Sequence, residues 1–136
     1  MIEAACAVIV REDRIFCAQR SEKMRHPLKW EFPGGKVEKH ESPRACIVRE
    51  IMEELRVPIK VQKSLTPTVF DYGNDYQVRL YPFVCRLVSG EPVLTEHKQY
   101  RWLRPDQLSD LVWLEGDIPV VQALLSASAT GLILSE

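Results

Sequence analysis

Three glutamates, Glu50, Glu53 and Glu54, stand at positions i, i+3 and i+4 of the run Arg49-Glu50-Ile51-Met52-Glu53-Glu54. On a helix these positions are surface neighbours, so the carboxylates share one sector with only Arg49 as a local counter-charge. Such a cluster repels itself unless a cation joins it. A hard divalent ion with oxygen ligands suits it, Mg²⁺ being usual where the ion also bridges substrate phosphates and Mn²⁺ the alternative. A solvated helix face has the same spacing, and the helix alone does not separate the two readings.

The helix that positions these groups has a readable start. Ser42 can cap free amides, and Pro43 suits the first helical position because its missing N–H has no partner there. Ala45, Val48, Ile51, Met52 and Leu55 are expected to form the apolar stripe that fixes the helix to a core. Arg56 and Pro58 close it, Pro58 by disfavouring helical backbone before it. Ahead of the helix, Gly34-Gly35 predicts a turn from which a backbone carbonyl reaches the same cation. Glu41 stands between the two.

The remaining chain supplies a scaffold. At 136 residues and 15.7 kDa it suits one domain, 1–136, with residues 126–136 expected as a loose tail. A net charge of −1 with mixed signs gives no surface for a nucleic-acid polymer or an anionic membrane. No long apolar run opens the chain, which predicts a cytoplasmic protein. Cys6, Cys17, Cys46 and Cys85 are scattered without a C-x-x-C pair, as buried free thiols would be.

Strands are expected over residues 3–10 and 14–19, a short one over 59–61, and a hairpin of 66–72 and 76–87 around Gly73-Asn74-Asp75. Pro82 argues for an edge or a bulge. A strand over 99–103, a helical turn after Arg104 and a helix over 117–125 follow. Strands interrupted by two helices predict an α/β fold with a mixed sheet and a helix on each side.

From Gly35 through Glu41 to Arg49-Glu50-x-x-Glu53-Glu54 the spacing resembles the signature of the Nudix hydrolases. One position departs: the family usually has glycine where Arg56 stands. The resemblance implies a three-layer α/β/α sandwich. It extends to the MutT-type nucleoside triphosphate pyrophosphohydrolases through Gln19-Arg20, Trp30-Glu31-Phe32-Pro33-Gly34-Gly35-Lys36, Glu96-His97 before Trp102, and Asp117-Ile118-Pro119.

By that likeness the chain cleaves between the α and β phosphates, giving a monophosphate and pyrophosphate. Gly34, Glu50, Glu53 and Glu54 would hold the metal, and Glu96 would serve as ligand or water orienter, with Glu50 the other candidate base. Arg20 and Lys36 would meet phosphates. Asp117 would read the base, with Ala5 and Ala7 leaving room and Tyr81 stacking. Gly35, Glu41 and Arg49 would support the ligands.

The implied partner is a small nucleotide, and the chain is monomer or homodimer. Three readings follow: a MutT-like enzyme clearing oxidised nucleotides such as 8-oxo-dGTP, with CTP or 5-substituted dCTP as the alternative triphosphate; a Nudix enzyme for another diphosphate such as ADP-ribose; and a non-catalytic nucleotide-binding module. The three retained signature glutamates argue against the last.

Overall fold

The first strand, mostly buried from Ala5 to Ile9, forms the spine of the sheet. A computed structural model describes residues 1–73 and 76–129. β1 (Ile2–Arg11) lies parallel to β7 (Gln77–Leu87) from Ile2↔Val78 to Ile9↔Cys85. At its far end β1 turns antiparallel into β2 (Arg14–Gln19) through Val10↔Ile15. Before that it departs from β2 and pairs instead with β4 (Gly34–Lys36). β2 carries β3 (Trp30–Glu31) on one side and β8 (Gln99–Leu103) on the other. β5 (Ile59–Ser64) and β6 (Thr68–Asp71) share the outer side of β7. The sheet is mixed and eight-stranded, as expected for an α/β fold.

Side-chain alternation sends β1 residues to two cores. Ala5, Ala7 and Ile9 pack with Phe83 and Cys85 against Cys46, Ile47, Ile51 and Leu55 of α1 (Pro43–Leu55). Cys6 and Val8 pack on the opposite face with Leu80, Val84, Val120 and Leu124, under α2 (Ile118–Ala129). The stripe of α1 therefore differs from the expected one. Ala45, Val48 and Met52 are exposed, and the buried apolar line is Cys46, Ile47, Ile51 and Leu55. All four cysteines are free and buried.

Three further expectations are corrected. Gly34-Gly35 is not a turn but part of β4, laddered to Cys6 and Ala5. Pro82 lies in an interior strand, yet its row falls where β5 has ended at Ser64 and β6 has not begun at Thr68. Its carbonyl accepts from Leu65 N–H, on the side of that break, so the absent Pro82 N–H leaves no ladder partner stranded. The last helix runs to Ala129, so the first four residues of the expected tail are helical. The hairpin positions Asn74 and Asp75 and the tail residues 130–136 lie outside the described residues. Among the described residues no helix is long and apolar enough to cross a membrane.

Candidate active site

Ser42 opens α1 by accepting from Ala45 N–H at 3.0 Å, with Pro43 at the first helical position. Arg56 closes it, adopting φ 59°, ψ 31°, the left-handed geometry that glycine adopts without strain, and donating its N–H to Met52 O. Between these caps Arg49 organises the acidic face. Its Nε and Nη2 grip Glu41 Oε2 and Oε1 at 2.7 and 3.0 Å, while Nη1 reaches Glu50 Oε2 at 2.9 Å and Glu53 Oε1 at 3.2 Å. The paired hydrogen bonds hold the Glu41 carboxyl down at about 2, and the surrounding carboxylates raise the Arg49 guanidinium further. Glu41 thus braces Arg49, and Arg49 orients Glu50.

Glu54 is in a different environment. It is buried, and burial together with Glu50, Glu31 and Glu96 pushes its carboxyl far above the carboxylate range. One ligand atom each from Glu54, Glu96 and His97 lies within 4.8 Å of the others. Glu53 is not in that group; its side chain points outward, 59% exposed, beside Arg49.

β4 approaches this cluster closely. A Cβ on Gly35 would overlap the Glu50 carboxyl, and one on Gly34 would overlap the β1 backbone at Ala5. Both glycines are required by contact, not by backbone conformation. The donors fit a hard divalent ion: carboxylate oxygens from Glu54 and Glu96, with Glu50 bonded to Glu54, and a buried Glu54 that has no positive partner among the described residues, as a cation would supply.

A cleft of about 320 Å³ continues from these groups. Its floor includes a row running across four strands: Lys36 faces Ala4, Ala4 faces Leu80, and Leu80 faces Thr68. Arg20 lines the cleft too, donating Nη1 to Glu31 Oε1 at 2.8 Å and Nε to Arg25 O at 2.7 Å. Asp117 is buried in the wall, 5% exposed. Its Oδ2 accepts from Phe32 N–H at 2.8 Å, and burial, reinforced by Glu31 and opposed by Phe32 N–H and Arg20, pushes its carboxyl up to about 8. The carboxyl thus bonds the backbone amide of the segment between β3 and β4. Tyr72 stacks on Tyr76 at 4.8 Å, and its hydroxyl accepts from Gly116 N–H, fastening the hairpin to the turn that carries Asp117.

The expected base contacts are only partly in the cleft. Ala5 borders it, but Ala7 and Tyr81 belong with Ala5 to the α1-facing layer, and Tyr81 donates its hydroxyl to Glu3. The cleft receives the opposite parity, Ala4, Cys6 and Leu80. Two residues absent from the expected site join it. Glu31 bonds both Arg20 and, at 2.8 Å, His97 Nε2; His97 is buried and its Nδ1 has no hydrogen-bond partner among the described residues. The signal available in the sequence was their position, Glu31 four residues before Gly35 and His97 next to Glu96.

The NUDIX domain family matches residues 1–124. The chain is 31% identical to the CTP pyrophosphohydrolase of Escherichia coli K12, over 95% of each chain. It is 35% identical to the 8-oxo-dGTP diphosphatase of Proteus vulgaris, over 70% of this chain and 82% of that one. Among solved structures, MutT of methicillin-resistant Staphylococcus aureus 252 shares 42% identity with a TM-score of 0.75, covering 92% of this chain and 95% of that one. The E. coli ORF135 protein superimposes with a TM-score of 0.82 at 29% identity, covering 96% of this chain and 93% of its own. With its carboxylate-bearing helix, glycine-tight β4 and cleft so arranged, the chain belongs to the Nudix hydrolase family.

Proposed function

We propose that this protein is a divalent-metal-dependent nucleoside triphosphate pyrophosphohydrolase of the cytoplasmic nucleotide pool, converting a triphosphate to a monophosphate and pyrophosphate. The observation that supports this reading is one cleft lined by Glu96, Lys36, Arg20 and the buried Asp117, beside the Glu54 carboxylate that clusters with Glu96 and Glu50. A Mg²⁺ or Mn²⁺ ion held by those carboxylates would neutralise phosphate oxygens and lower the pKa of a bound water. The chain does the rest. Lys36 and Arg20 hold the phosphates in line, the arginine through its planar fork. Glu50 has an oxygen committed to Arg49, so the exposed Glu96 is the better acceptor for the proton of the attacking water.

The base is read at Asp117. Oδ2 is occupied by Phe32 N–H, which leaves Oδ1, in the ionised form, to accept from an exocyclic amino group such as cytosine N4 or guanine N2. The 8-oxo-dGTP and CTP readings both supply that group. The nearly full-length similarity to a CTP pyrophosphohydrolase favours cytosine as the second reading. The test is hydrolysis with Mg²⁺ of 8-oxo-dGTP, dGTP, CTP, 5-substituted dCTPs and ADP-ribose, with products identified. One triphosphate yielding monophosphate and pyrophosphate far faster than the others is the expected result. Turnover of ADP-ribose alone would overturn the reading.

A further inference from the structure

Side chains from two other elements converge on one carboxylate. Glu31 Oε1 accepts from Arg20 Nη1 at the end of β2, and Oε2 is 2.8 Å from Nε2 of His97, in the loop before β8. The Arg20 and Glu31 side chains are mostly buried, and the His97 side chain is entirely so. The arrangement is electrostatically costly, because the Glu31 charge disfavours ionisation of both Glu54 and Asp117. A neutral glutamine would avoid that penalty, but it offers one accepting oxygen. Only a carboxylate accepts from two donors through two oxygens.

The loop it grips carries Glu96. That loop is tied independently at Thr95, whose hydroxyl donates to Glu54 O at 2.8 Å, and at Lys98, whose N–H donates to Gln19 O at 2.9 Å. Losing the His97 tie therefore frees the middle of the loop while its ends stay attached. We propose that Glu31 is a positioning residue for the hydrolysis, holding Arg20 toward the phosphates with one oxygen and, through His97, holding Glu96 beside Glu54 with the other. The Arg20 half rests on the triphosphate reading above; the Glu96 half requires only that the carboxylates bind a divalent ion.

The two halves separate experimentally. Mn²⁺ binding is measured without substrate from the EPR signal of free Mn²⁺, and KM and kcat are measured at saturating Mn²⁺ on the best triphosphate. Glu31→Gln is expected to weaken Mn²⁺ about 10-fold or more and to raise KM, the range seen when a group orienting a metal ligand is removed. His97→Asn, too short to reach Glu31, should weaken Mn²⁺ alone, and His97→Gln, which returns a donor near the Nε2 position, should restore it. Arg20→Lys should raise KM with Mn²⁺ affinity unchanged. A merely structural role would move all of these together. Folded Glu31→Gln protein that binds Mn²⁺ as tightly as wild type overturns the Glu96 half, and should that variant not fold, equal Mn²⁺ affinity in wild type and His97→Asn does so. Wild-type protein that turns over no triphosphate removes the Arg20 half together with the functional reading, while the Mn²⁺ measurements still decide the other.

Discussion

Asp117 shows how one buried carboxyl couples recognition to stability. In the unfolded chain it loses its proton near the model-peptide value of 3.8, whereas in the fold burial holds the proton to about 8. Between those values the folded state binds more protons than the unfolded one, so its contribution to stability falls as pH rises. Asp117→Asn removes the titration and keeps an oxygen for Phe32 N–H. The variant should melt about 3–8 °C higher than wild type at pH 8, with no gain near pH 3, as thermal unfolding across pH will show. At pH 9, where the wild-type group is ionised, it should also lose roughly 10- to 100-fold in kcat/KM for a substrate whose amino group the carboxylate accepts, because the amide presents a donor where an acceptor is needed. Gly35 makes the complementary point about space. Gly35→Ala forces its Cβ into the Glu50 carboxyl, so Mn²⁺ affinity and kcat should both fall by about 10-fold or more, the scale expected when a ligand is displaced.

At the scale of elements, α1 is where sequence and structure agree and disagree most usefully. Its ends were legible because capping is local chemistry: Ser42→Ala should cost about 1 kcal/mol, and Arg56→Gly should gain about 0.5–1 kcal/mol by relieving the left-handed residue. Urea unfolding reads both, and neither should change KM. Its buried face was misread because Val48 and Met52 are apolar without being inside. Lys at either position should therefore change stability by no more than about 0.5 kcal/mol, against about 2–4 kcal/mol for Ile51→Ala. The same limit governed β1. Alternation established that Ala5 and Ala7 share a face, but which face meets the cleft is set by where α1 and α2 pack, and that is tertiary information. For Glu31 and His97 the sequence marked the positions but not the contact between them, for a related reason. Their role exists only as a contact across 66 residues of sequence, which no local spacing encodes.

For the molecule as a whole, the sheet brings together carboxylates that oppose the fold until a cation arrives. Glu54, on α1, lies among Glu50 from its own helix, Glu31 from β3 and Glu96 from the loop before β8, so the repulsion links three parts of the chain. Its folded value stands above that of the unfolded chain. Stability is therefore full below about pH 4.5 and declines as pH rises, since the unfolded state releases the proton first. A divalent ion that binds only the folded state adds RT ln(1 + [L]/Kd), about 2.7 kcal/mol at a hundred times Kd. Because the ion displaces the proton that Glu54 retains, its affinity must grow with pH in the range where that proton is still bound. The expected outcome is a Tm that falls from pH 5 to pH 9 without metal, and a Mn²⁺-induced rise in Tm that widens over the same interval. Glu54→Gln should abolish most of that widening and raise the metal-free Tm at the alkaline end. A Mn²⁺ effect on Tm that is the same at both ends of the range would mean that Glu54 is not among the ligands.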